Sequence, residues 1–320
     1  MTGTWMRRAC LALACGTALL AAVACGSSNI ASAFNPTRFV AFGDTYSDVG
    51  QGGSRYTVND GSAYNTWVEK VVSDYGLSLA PVSQGGTSWA RANARIATKP
   101  DAAGNAATLT LAGQIDAFRA AGGAFGAGDM VLISGGTSDL IAETMAYRAG
   151  TSTEAQLNAN VSAAGKALGQ QVRRLVSAGA QHVVVTGAIN LGRTPWGVGI
   201  AEVDRLTNLS VSFNNSLLTE IVDLGNNVLY IDAAYFINIF TSSPATYGYD
   251  DITNPACASI DPNDGLGLGA GKVNSSLCTL STLADGADIT KRLFADLLFF
   301  TPNAQRSLGD LIYQRIRVRW

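Results

Sequence analysis

The sequence predicts an α/β domain in which a parallel sheet is covered by helices on both faces. Short apolar runs ending in Gly, Asp or Ser alternate with longer stretches of helical periodicity, in the order β-α-β-α. No internal repeat or low-complexity linker interrupts that order. An apolar content of 47%, with 35 glycines against 8 prolines, supplies a sizeable core and many turns.

Arg38 to Phe42 (RFVAF) is the first strand-like run, and it feeds a loop at Gly43-Asp44. A helix is predicted over Ala63 to Tyr75. Asp129 to Ser134 (DMVLIS) reads as a buried strand ending in Gly135-Gly136. The clearest helix spans Glu154 to Ser177, where Leu157, Val161, Ala164, Leu168, Val172 and Leu175 form one apolar stripe. It leads into a strand over His182 to Thr186. Leu206, Leu209, Phe213, Leu217 and Ile221 mark the next long helix, and Val228 to Ile231 the strand after it. The last helix is predicted to start at Thr301-Pro302, an N-cap and N1 pair, and to turn Leu308, Leu311 and Ile312 inward. Sheets of this kind place ligands at the carboxyl ends of their strands. The loops after Phe42, Ser134 and Thr186 are therefore expected to share one rim.

The first residues read as an export signal. Arg7 and Arg8 precede an apolar stretch from Ala9 to Ala24, too short for a membrane span. Two processing sites compete. Ala22-Val23-Ala24-Cys25 resembles a bacterial lipoprotein box and makes 1–24 a signal peptide with Cys25 lipidated. Ala31-Ser32-Ala33 instead suits ordinary signal peptidase, with cleavage after 33. A short tether over 25–36 and a single domain over 37–320 follow. The expected location is the bacterial envelope, membrane-anchored through Cys25, or soluble and periplasmic or secreted on the second reading. The low charged fraction of 14% agrees with export, and a net charge of −2 gives no basic footprint for nucleic acid.

Export gives the cysteines a meaning. Cys10 and Cys15 leave with the leader, and Cys257 and Cys278 remain in a chain bound for an oxidising compartment. They are expected to pair; two free thiols are the alternative. Asp261-Pro262-Asn263-Asp264-Gly265 has its glycine at the fifth position, where a calcium loop needs it at the sixth, and reads as a turn. No metal or other cofactor is expected.

Several short motifs fall in a definite order. Residues 39–50 read FVAFGDTYSDVG, 85–96 GGTSWARANARI and 135–140 GGTSDL. Further on stand GAINLGRTP at 187–195, PATYGYDDITNPAC at 244–257 and FADLLFFTPNAQR at 294–306. In order and spacing this resembles the GDSL/SGNH family of ester hydrolases, in particular its lipase-like branch. The resemblance implies a flavodoxin-like three-layer α/β/α fold with a parallel sheet of about five strands. It also implies a serine nucleophile, oxyanion-hole donors from a glycine and an asparagine, and an Asp-His pair.

The matching positions depart from that set. Thr45 stands at the nucleophile position, Ala92 at the oxyanion-hole glycine and Ser138 at the oxyanion-hole asparagine. Phe299 stands where the histidine belongs, while Asp296 remains. Asp44 and Asp139 are expected to hold the site loops. The chain has one histidine, His182, at the start of a strand and so at the far end from the rim. A hydroxyl attacks poorly unless a base takes its proton. Phe299 accepts none, and the Thr45 methyl restricts the hydroxyl's rotamers. Losing a triad nucleophile or base costs about a million-fold in turnover. The carboxylates Asp44, Asp48, Asp139 and Asp296 are the alternative bases for a Thr45 nucleophile. Tyr46, Trp89, Trp196 and Phe299 are candidates to line an apolar rim. The expected function is thus a degenerate esterase or lipase that binds an ester, lipid or glycan. An altered esterase using Thr45 and a structural envelope lipoprotein are the alternatives.

Overall fold

In a computed structural model, which describes residues 34–320, the chain forms an α/β fold around four parallel strands. The leader, Cys25 and both cleavage sites lie outside the described residues. In chain order the main elements are β1 (Arg38–Phe42), α1 (Trp67–Asp74), α2 (Leu111–Ala120), β2 (Asp129–Ser134), α3 (Thr137–Arg148), α4 (Glu154–Ser177), β3 (Val183–Thr186), α5 (Pro195–Gly199), α6 (Val203–Ile221), β4 (Val228–Ile231), α7 (Ala233–Ser242), a small antiparallel pair β5 (Ile260–Asp261) and β6 (Lys272–Val273), and α8 (Pro302–Arg319).

The sheet order is β1-β2-β3-β4, each pair parallel, with Phe42 opposite Ile133 and Ser134 opposite Thr186. The family resemblance implies about five strands; four form. The fifth place, beside β1, is held by a single bridge between Ala41 and Ser88. There the Ala41 N–H donates to Thr87 O at 3.2 Å and the Trp89 N–H to Ala41 O at 2.7 Å. Before Ser88 the chain turns tightly at Val82–Gln84 and the Val82 N–H donates to Ser88 O at 2.9 Å, so regular pairing with β1 does not extend.

β2 and β3 are buried along their whole length, as strands covered on both faces must be. The helices cover them in packed pairs, α1 with α8 and α4 with α6. Gly165 lets the second pair approach closely, because a Cβ there would lie 2.3 Å from the Phe213 carbonyl oxygen. Helix α4 starts with a capping box between Thr153 and Gln156.

The strand expected from His182 starts one residue later, at Val183, and the first and last of the expected helices differ in detail. The predicted helix over 63–75 forms only at 67–74, because Thr66 caps it and Glu69 reaches back to the Asn65 and Thr66 amides at 3.0 Å. Helix α8 does begin at Pro302. The Thr301 hydroxyl, however, donates to Arg292 O at 2.8 Å and makes no cap, and Leu311 is only half-buried.

Candidate functional site

The loops after the four strands converge on one rim. Asp44 and Tyr46 after β1, Gly135 and Thr137 after β2, Gly187 and Ile189 after β3, and Ala233 after β4 line a single closed void there. Its volume is about 10 Å³, at the lower limit for one water.

The loop after β1 is held tightly. Gly43 adopts φ 152°, and a Cβ would lie 2.7 Å from Ser134 O. Gln114 of α2 clamps its peptide on both sides, accepting from its N–H and donating to its carbonyl, each at 2.9 Å. Thr45 follows, 2% exposed, and its Oγ1 accepts from the Asn93 N–H at 2.8 Å. Of the two successive amides at the expected oxyanion-hole glycine position, it is that of Asn93 and not that of Ala92 that meets Thr45. The Ala92 N–H is committed to Asp48 Oδ2 at 2.8 Å, while Asn93, at φ 59°, takes the left-handed conformation that Gly or Asn tolerates best.

Ser138 is buried in the first turn of α3. Beside it Asp139 accepts from the Ile96 N–H at 3.0 Å and from Arg95 Nε at 3.4 Å, and Arg95 also binds Glu143. Asp48 accepts from Gly50, Gln51 and Ala92 amides. Asp44 differs. Its Oδ1 accepts from the Tyr46 N–H at 3.2 Å, but its Oδ2 has no well-formed partner despite nearby Thr137 and Ser138 amides. Burial pushes Asp44 up to about 6, with the negative Asp139 adding to the rise. Burial likewise raises Asp139 to about 6, against the pull of Arg95.

Asp296 is fully buried and fully occupied. Its Oδ1 accepts from the amides of Leu298 and Phe299, both at 2.8 Å. Its Oδ2 accepts from the Ser275 N–H at 3.0 Å and the Ser275 hydroxyl at 2.5 Å. Burial still raises its pKa. The Phe299 ring, 1% exposed, sits edge-on to Tyr46 at 5.1 Å and Tyr56 at 5.4 Å. His182 lies at the other end of the sheet, stacked on Phe34 at 3.6 Å and edge-on to Trp320 at 5.0 Å.

A strap closes the site from outside. Cys257 and Cys278 form a disulfide, with Cα atoms 5.8 Å apart, and the loop between them runs over Asn93 and Tyr56. The Gly265 carbonyl accepts from Tyr56 OH at 3.0 Å and from Asn93 Nδ2 at 2.9 Å. Leu266 and Leu268 beside it are buried. The turn at Asp261 is secured by Asn274 Nδ2 at 2.7 Å.

The four aromatics proposed for a common rim are separated. Tyr46 and Phe299 pack on each other in the core, and Tyr46 OH donates to Leu298 O at 2.8 Å. Trp89 packs edge-on to Phe118. Trp196 lines a different groove with Met145 and Leu268. Among the described residues no cluster of three or more His, Cys, Asp or Glu side chains is placed to hold a metal ion. Nor is any helix there long and apolar enough to cross a membrane.

Asn93, Gln114, Ser275 and the Gly265 strap were not foreseen from sequence. Gln114 carried a signal, being a polar residue on the buried stripe of Leu111, Ile115 and Phe118. Ser275 carried none.

A four-stranded parallel sheet, packed helix pairs and strand-end loops that meet at one rim define an α/β scaffold. The chain belongs to the GDSL-like lipase/acylhydrolase family, which it matches over residues 39–312. It is 23% identical over 329 residues to an uncharacterised protein from the trpE-trpG intergenic region of Pseudomonas putida, covering 94% of this chain and 52% of that protein. It is 28% identical over 160 residues to the GDSL esterase/lipase At5g55050 of Arabidopsis thaliana, covering 45% of this chain and 39% of that one. The chain thus spans about half or less of these relatives. Similar solved structures include Est24, a carbohydrate acetylesterase from Sinorhizobium meliloti, at 14% identity and TM-score 0.46, covering 89% of this chain and 100% of that one. The aryl esterase of M. smegmatis is similar at 14% identity and TM-score 0.42, covering 88% and 99%.

Proposed function

We propose that this GDSL-family chain no longer hydrolyses esters and acts as an exported binding protein for a small ester, lipid or glycan, anchored through Cys25. The observation that carries the reading is the environment of Asp296. A working Asp-His pair needs an acceptor site on the carboxylate for the imidazole N–H, and the roughly four lone-pair sites of a carboxylate are here met by the Ser275 N–H and hydroxyl and the Leu298 and Phe299 amides. Phe299, which stands at the family's histidine position in the sequence, packs against Tyr46 and Tyr56 and accepts no proton, so it offers Thr45 no base. Of the candidate carboxylates only Asp44 keeps an unpartnered oxygen, and Asp44 lines the closed inner void.

The test is hydrolysis of a short-chain p-nitrophenyl ester by purified mature protein beside a Thr45→Ala variant. Equal background rates in both support the binding reading. Turnover that disappears with Thr45 overturns it and makes the chain a threonine esterase with an unorthodox base.

A further inference from the structure

We propose that the groove between the carboxyl end of α3, the short helix α5 and the strap binds a single-chain fatty carboxylate. This rests on the reading above that the chain binds a ligand without cleaving it, and it names the ligand class and moves the site off the sealed rim. The groove has a volume of about 260 Å³. Ligand pockets commonly span roughly 300 to 1,000 Å³, so this one suits a single medium-length chain better than a two-chain lipid or an oligosaccharide.

Its walls and its edge differ in character. Met145, Trp196, Ile200, Leu268 and Leu297 form the walls, and Trp196 and Leu268 are almost fully buried. Two cations, Arg148 and Lys272, stand at the groove and reach solvent. Among the described residues Lys272 has no ion pair. Arg148 meets only Glu202, at 3.5 Å, and the other oxygen of that carboxylate is held by Arg205 Nε at 2.8 Å. Apolar walls with an excess of positive charge at the edge match an amphiphile whose head is anionic. A neutral alcohol leaves Lys272 unused, and a cationic head is repelled.

The geometry ties this groove to the strap. Leu268 belongs to the disulfide-closed loop, and Leu297 adjoins Asp296 and accepts from the Trp196 N–H at 2.9 Å. The loop that binds Asn93 and Tyr56 therefore also supplies a wall of the groove.

The experiment is calorimetric titration of the mature full chain with decanoate and with decan-1-ol. Decanoate is expected to bind at least about ten-fold tighter than the alcohol. The double variant Arg148→Gln/Lys272→Gln should bring the two ligands to within about two-fold of each other. Gly199→Phe offers an independent check. A Cβ at Gly199 meets nothing within 4 Å, so the protein accommodates a side chain there while the ring occupies the groove. Gly199→Phe with unchanged Tm and no decanoate binding supports the proposal. Equal affinity for acid and alcohol, binding that survives Gly199→Phe, or no binding by the parent overturns it. Ester turnover is read on the same preparations. Thr45-dependent turnover overturns the non-hydrolytic reading alone, and missing decanoate binding without turnover overturns the groove alone.

Discussion

Asp44 carries a buried oxygen without a well-formed partner, and this gives its titration a definite sign. Its folded pKa, about 6, lies above the usual 3.8, so the folded state holds the proton more firmly than the unfolded chain. The associated stability is fully present below about pH 4 and is lost as pH rises through about 6, in total on the order of 3 kcal/mol. Asp139 adds a contribution of the same sign. We expect Asp44→Asn to flatten the fall in denaturant midpoint between pH 4 and pH 7; a slope equal to the parent's would refute this. The residue scale also shows why reversion is not a matter of three positions. Thr45→Ser, Ser138→Asn and Phe299→His restore the family's side chains, yet the Ser275 hydroxyl still occupies Asp296 Oδ2 at 2.5 Å. Adding Ser275→Ala to that triple variant should raise p-nitrophenyl ester turnover by at least about ten-fold, since the imidazole then gains its orienting carboxylate. No gain would mean that Asp296 is not the limiting partner. Thr45, Asp296 and Phe299 could be named from sequence because they sit in ordered motifs. Asn93 could not, since only the folded backbone shows which of two successive amides turns toward Thr45.

Elements were legible where local chemistry and tertiary packing agree. β1, β2 and β4 follow their apolar runs, and α4 follows its stripe and its Thr153–Gln156 capping box. Helix α3 was not legible: its first half is buried on most sides, with Ser138, Asp139, Glu143 and Thr144 inside among the apolar residues, so no stripe forms. The strap was equally invisible, because its anchor is a backbone carbonyl, at Gly265, which no side-chain pattern reports. The disulfide closes this element with a sequence separation of 21. Cross-linking a loop of that size stabilises by roughly 3 kcal/mol. Cys257→Ser should accordingly lower Tm by several degrees under oxidising conditions and leave little further loss on reduction. A variant melting with the parent would show that the cross-link contributes nothing to stability.

At the scale of the whole molecule, the family match from 39 to 312 and the parallel sheet agree on ancestry. The export and lipid anchoring proposed above rest on a different part of the chain, the residues before Phe34, and are tested there. Cys25→Ala should release the protein from the membrane fraction of its host while leaving the thermal stability of the folded domain unchanged. Membrane recovery equal to the parent's would dismiss the lipid anchor. The strap bears on what either location offers the rim. Because it is part of the same chain, its Gly265 carbonyl meets Asn93 and Tyr56 at an effective concentration set by a short closed loop, on the order of millimolar or above. A free ester at micromolar levels therefore starts about a thousand-fold behind in concentration and has to make up that factor in intrinsic affinity.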